Sequence, residues 1–156
     1  MRIERKYLAH YIRCMDDTYE RLGADLEEFT PEISANVEKF SNILGEKRVI
    51  ISDYEKTANV EQFYADPGSS LYVFLQSLID NNAVMDETKT QVVDVKLWEQ
   101  HSEDYYAAIA EEVFVEVTSY GGDYNGYRIG FKLHYTGKKI EGLFCIGDQT
   151  FTEGRA

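Results

Sequence analysis

Between residues 71 and 79 the apolar side chains recur every three or four positions: Leu71, Phe74, Leu75, Leu78 and Ile79. That spacing places all five on one stripe of an α-helix. The preceding Asp66-Pro67-Gly68-Ser69-Ser70 supplies a turn and N-capping hydroxyls. Asn81-Asn82 supplies a stop, because asparagine tolerates the left-handed position that follows a helix. The pattern predicts one helix over residues 69–81 with those five side chains as its core stripe.

Much of the remaining chain has strand character or alternates with a period of two. Residues 7–15 are rich in aromatic and branched side chains and read as a strand closed by a turn at Asp16-Asp17. Val93, Val95 and Leu97 alternate with Asp94, Lys96 and Trp98, and Val113, Val115 and Val117 with Glu112, Phe114 and Glu116. Tyr127, Ile129, Phe131, Leu133 and Tyr135 form another apolar face after a turn cluster at residues 121–126. Thr136-Gly137-Lys138-Lys139 reads as a turn into a last strand over 140–146, and residues 148–156 as a frayed tail. Residues 19–29 fit either a bulged strand or a short helix.

Two segments do not fit a small core. Residues 47–64 have strand character throughout, and 18 extended residues would span about 60 Å. Such a strand bends at Ser52-Asp53 or Ala58-Asn59, or projects beyond the body of the domain. Residues 32–46 are polar with scattered apolar positions (Ile33, Val37, Phe40, Ile43, Leu44) and no clean period, so they read as a long loop. The expected fold is mainly β with one helix: two packed antiparallel sheets, as a sandwich or partly open barrel, in a single domain over 1–156.

Charge narrows the function classes. The 156 residues carry 16 Lys+Arg against 28 Asp+Glu, a formal charge of −12, which argues against grip on a nucleic-acid backbone. No apolar run approaches the roughly 18–20 residues of a membrane helix, and the start of the chain does not read as a secretory leader. Cys14 and Cys145 are too few for a disulfide scaffold or a cysteine-rich zinc site and read as two buried thiols.

No catalytic constellation emerges. His10, His101 and His134 lack metal-ligand spacing and read as surface or edge histidines. The carboxylate doublets at 16–17, 27–28, 86–87, 103–104 and 111–112 read as solvated charge, since neighbours in a strand point to opposite faces. Asp123-x-Asn125-Gly126 lacks the first acidic position and the closing Glu of a calcium loop. Gly137-Lys138 sits between strands, without the helix start that cradles phosphate. The expectation is no enzyme, no cofactor and no metal.

The order of segments is similar to a known family. Residues 19–28 (YERLGADLEE), Asn36-Val37-Glu38, 42–46 (NILGE), Tyr54-Glu55-Lys56, 61–65 (EQFYA), 119–123 (SYGGD), Gly126-Tyr127 and His134-Tyr135-Thr136-Gly137 follow its pattern. The chain, over about residues 5–151, resembles the tail tube (major tail) proteins of long-tailed bacteriophages and prophages of Gram-positive bacteria. The resemblance implies a structural subunit of the virion tail, made in the host cytoplasm. Six copies would form a ring, and stacked rings a β-lined channel for DNA. It implies as partners the chain itself, a tape-measure protein, a tail-tip initiation complex and transiting DNA, with no membrane. In such proteins the long loop contacts the next ring, which makes Phe40, Ile43 and Leu44 the candidate inter-ring contacts. An acidic channel wall would let DNA slide by repelling its phosphates.

Two alternatives stay open. One is the tube of a contractile or bacteriocin-like tail. The other is a monomeric β-sandwich module binding carbohydrate or peptide, with Trp98, Tyr105, Tyr106 and Tyr124 as a stacking platform.

Overall fold

The computed structural model describes residues 2–14, 18–23, 26 and 29–153. Eight strands follow one another as β1 (Leu8–Arg13), β2 (Tyr19–Leu22), β3 (Glu32–Ser41), β4 (Lys47–Tyr64), β5 (Lys89–Ser102), β6 (Tyr105–Asp123), β7 (Gly126–Cys145) and β8 (Thr150–Glu153). Helix α1 (Ser70–Asp80) separates β4 from β5. The strands form one antiparallel sheet in the order β2-β1-β5-β6-β7-β4-β3, with β8 added to β7. The first half of β7 pairs with β4 and its last residues with β8, so this one long strand carries two different neighbours along the same edge.

The expected mainly-β antiparallel fold with one helix is present, and the sheet does not close into a barrel. Its layering arises because one sheet curls. β1 and β7 are three positions apart, which in a flat sheet is about 14 Å. Yet the rings of Tyr11 and Phe144 lie 4.3 Å apart, centroid to centroid. Alternating side chains feed two cores on opposite faces. Ala9, Tyr11, Val93, Val95, Ala108, Ala110 and Phe144 fill the concave one. Ile12, Val92, Val113, Val115, Ile129, Phe131 and Leu133 fill the other, against α1.

The helix lies where its period put it. Leu71, Phe74, Leu75 and Leu78 are buried, and Ile79 packs partly buried against the same core. Each fully buried side chain of this size contributes roughly 1.5–3 kcal/mol. The Ser69 hydroxyl accepts from the Tyr72 amide at the N-cap. At the other end Ala83 N–H donates to Leu78 O (3.1 Å) and Asn82 N–H to Ile79 O (3.3 Å), with Asn82 at φ +48°. That pair of bonds around a left-handed residue terminates the helix.

Three expectations are corrected. Residues 32–46 are not a loop: ten of them form β3, paired along its length with β4. Residues 136–139 do not reverse the chain; β7 runs through them, and Gly137 at φ +91° absorbs the change of direction. The tail is partly ordered, because Thr150–Glu153 pairs with residues 142–145. There Gly142 is required, since a Cβ would lie 2.1 Å from Thr152 O. The expected turn at Asp16-Asp17 and residues 154–156 lie outside the described residues. Of the ambiguous 19–29 segment, the first part is strand β2, and Phe29 is buried.

Candidate assembly surface

β3 and the first half of β4 form a two-stranded arm. Its ladder runs from Glu32 opposite Thr57 to Ser41 opposite Lys47. Beyond Thr57, β4 pairs instead with β7, so the arm leaves the sheet at Lys56–Thr57. Ser52 is the extra residue of a bulge between the Asn36/Asp53 and Val37/Ile51 pairs. Both behaviours expected of residues 47–64 therefore occur: an irregularity at Ser52-Asp53 and projection beyond the body.

All ten residues of β3 are exposed. Directly paired residues share a face, so the register sorts the arm into two sides. One carries Ile33, Ala35, Val37, Val49, Ile51 and Tyr54, with Lys39, Ser41 and Lys47 toward the tip. The other carries Ser34, Asn36, Glu38, Arg48, Asp53 and Glu55, with Phe40 and Ile50 among them. Asn36 donates from its amide to Asp53 across the polar side. The apolar side continues through Lys56 to Ala58 and Val60, which face the α1 core. The arm thus prolongs the core-facing side of the sheet past the point where its own chain covers it. Ile33 and Tyr54 are each 64% exposed there.

The tip is a structured turn. The Asn42 carboxamide oxygen accepts from the amides of Leu44 (2.9 Å) and Glu46 (3.0 Å), and Gly45 N–H donates to Asn42 O. Gly45 takes φ +80°. Ile43 is held fully into solvent and Leu44 mostly so, and Phe40 is half exposed just behind them. Sequence reasoning singled out these three as candidate contacts, and the structure brings them together at one end of the arm.

A charged cluster sits at the arm's root. Lys56 Nζ donates to Glu111 Oε1 at 2.7 Å and lies 3.9 Å from Asp94 Oδ2. His10 Nδ1 is 2.6 Å from Asp94 Oδ1, and the Lys56 ammonium stands 4.6 Å over the Tyr135 ring. His10 and Glu111 are both buried, which corrects their reading as surface groups. His101 is exposed and His134 half-buried, and His134 Nε2 meets Glu116 at 3.0 Å. The ring of His10 packs edge-on against Phe29, and its Nε2 and the Tyr135 hydroxyl are buried without a hydrogen-bond partner among the described residues. Burial, reinforced by the charges of Asp94 and Glu111, pushes the Tyr135 phenol far up and keeps it neutral.

The thiols are both free and buried. Burial, then the nearby Glu20 carboxylate, pushes Cys14 up to about 12, so it stays a thiol at neutral pH. The aromatic platform is divided: Trp98, Tyr105 and Tyr106 sit around the β5–β6 turn, whereas Tyr124 lies in the turn at the opposite end of β6. Among the described residues no group of three His, Cys, Asp or Glu side chains converges as metal ligands would, and no helix is long and apolar enough to cross a membrane.

A groove of about 810 Å³ lies between the end of α1, the short 3-10 turn Met85–Thr88 and β6. Leu78, Ile79, Met85, Val115, Val117 and Tyr120 supply most of its apolar wall. Met85 adopts φ +54°, a left-handed conformation unfavourable for a side chain of its size, and its side chain is exposed. Neither the groove nor the buried cluster was visible in the sequence. Lys56, Asp94 and Glu111 are far apart in the chain and meet only through strand register.

No protein-family model matches this chain, and no curated protein matches it.

Proposed function

We propose that this chain is a structural subunit that assembles with copies of itself into the tube of a long-tailed bacteriophage or prophage tail. One observation carries the reading: the β3–β4 arm extends the core-facing side of the sheet beyond its own core and leaves Ile33, Val37, Val49, Ile51 and Tyr54 in solvent. An apolar strip of that kind on a long edge strand is a surface for another chain. Among the described residues β3 also has no strand on its outer edge, so a neighbour has both hydrogen bonds and apolar area to gain. The division of the aromatic platform weighs against the sugar-binding alternative. The resemblance to tail tube proteins supplies the ring geometry, the tape-measure and tail-tip partners and the DNA cargo.

Electron microscopy and light scattering of the concentrated full-length protein, from low to high salt, test this. Rings or hollow tubes, favoured by salt because each copy carries a charge of −12, support it. A protein that stays monomeric throughout that range overturns it.

A further inference from the structure

We infer that Lys56 and Asp94 are placed to join through an amide bond between their side chains, with Glu111 moving the protons. The inference is independent of the self-assembly reading. An amine and two carboxylates meet at this point: Lys56 Nζ stands 2.7 Å from Glu111 Oε1 and 3.9 Å from Asp94 Oδ2. Asp94 is held from its other side, where His10 Nδ1 is 2.6 Å from Oδ1. The side chains of His10, Lys56, Asp94 and Glu111 are each at most 20% exposed. The Tyr135 ring covers the ammonium at 4.6 Å. For a structural ion pair this is one carboxylate too many, because each buried charge carries its own desolvation cost. Amide formation reduces three buried charges to one.

Each group has a defined part. Glu111 takes the proton that Lys56 must lose before its nitrogen can attack Asp94 Cγ. The nitrogen gives up a second proton as the C–N bond forms, and both protons leave with Asp94 Oδ2 as water. Oδ1 remains as the amide oxygen. His10 donates from Nδ1 to that oxygen and holds the negative charge that builds on it during the attack. Lys56 and Asp94 end uncharged, and Glu111 and His10 end as they began. An amine and a carboxylate in water stay apart as ions, but here they are fixed side by side in a site that excludes the water needed for hydrolysis.

The bond would tie the root of the arm to the body of the sheet. Lys56 lies on β4 and Asp94 on β5, three positions apart in the order β5-β6-β7-β4. The link closes a loop over residues 57–93, which contains α1, and so restrains the unfolded chain as a disulfide does. The ion pair of Lys56 with Glu111 is the state before bonding, and chains that still carry the mass of that water measure its stability.

Intact-mass spectrometry of the folded full-length protein tests this, with the urea-unfolded chain as control. The folded chain should become lighter by one water molecule, the unfolded chain should not, and a protease digest of the folded chain should yield a branched peptide joining Lys56 to Asp94. Lys56→Arg keeps a cation beside Glu111 and should form no branch. Asp94→Asn should form the same branch with loss of ammonia in place of water. Glu111→Gln should slow the branch by about a hundredfold or more. Circular dichroism checks that each variant is folded, and the wild-type measurement stands whether or not one is. Full mass retained by the folded wild type after prolonged incubation, a branch to Glu111 in place of Asp94, or a loss of water with no branch, as from a succinimide at an aspartate, overturns the proposal.

Discussion

Lys56 Nζ and Glu111 Oε1 stand 2.7 Å apart at the point where the β3–β4 arm leaves the sheet. Glu111 is only 4% exposed, and Lys56 is its ion-pair partner. The pair joins β4 to β6 across the intervening β7 and lies under the Tyr135 ring's face. Its value is asymmetric: two charges brought out of water gain little as a pair, but either one left alone is costly.

Lys56→Met should therefore destabilise the protein by about 3–5 kcal/mol, because Glu111 keeps its buried carboxylate and loses its partner. The double variant Lys56→Met with Glu111→Leu should recover most of that loss. Urea unfolding of the two singles and the double measures the coupling. Independent, additive losses would show that the two side chains do not depend on one another.

Glu20 and the helix start make a second long-range pairing. Its carboxylate accepts from the Ser69 hydroxyl (2.8 Å to Oε2) and from the Leu71 amide (2.8 Å). A negative charge at a helix N-terminus satisfies free amides and opposes the helix dipole. Glu20→Gln keeps the shape and removes the charge, so it should cost about 1 kcal/mol. The urea midpoint reads it directly, and an unchanged midpoint would mean that Ser69 caps the helix alone.

Such contrasts show what was legible in the chain. Helix α1 was readable because its stripe, its serine cap and its asparagine stop are all local. The alternating valines of β5 and β6 were readable for the same reason. Only half of the arm was: residues 47–64 read as a long strand, but a ribbon exposed on both sides has no reason to show a core period, and residues 32–46 passed for a loop. The single sheet was not legible either, because Gly137 bends β7 where a Thr-Gly-Lys-Lys segment normally reverses a chain. Glu111 read as solvated charge, and nothing local to Glu20 or Asp94 set them apart. Their partners are set by strand register and by a helix 49 residues or more away.

Phe74 and Leu44 separate folding from assembly. Phe74 is 8% exposed in the α1 core, whereas Leu44 is 76% exposed at the tip of the arm. Phe74→Asp removes a buried ring and leaves an unpaired charge, so it should cost about 4 kcal/mol or more and unfold the domain. Leu44→Asp, like Ile43→Asp, should change stability by no more than about 0.5 kcal/mol and should stop tube growth. Circular dichroism measures the first effect and electron microscopy the second. A folded Phe74→Asp protein, or unaltered tubes from both tip variants, would contradict the respective assignment.

Alkaline pH should weaken the fold through Cys14 before the tyrosines contribute. Burial pushes this thiol from 9.0 to about 12, so above pH 9.0 the unfolded chain releases a proton that the folded chain retains. The sign follows from linkage: the stability is intact below pH 9.0 and falls as pH rises toward 12, by up to about 1.4 kcal/mol per pH unit. Tyr11 and Tyr135, both raised from 10.0 chiefly by burial, steepen the loss at higher pH. Urea midpoints measured from neutral to alkaline pH should therefore decline, and Cys14→Ala should flatten the first part of that decline while leaving the steeper part. The thiol of the folded protein should also resist alkylation at mildly alkaline pH. Parallel profiles for the parent chain and Cys14→Ala would show that the proton is lost elsewhere.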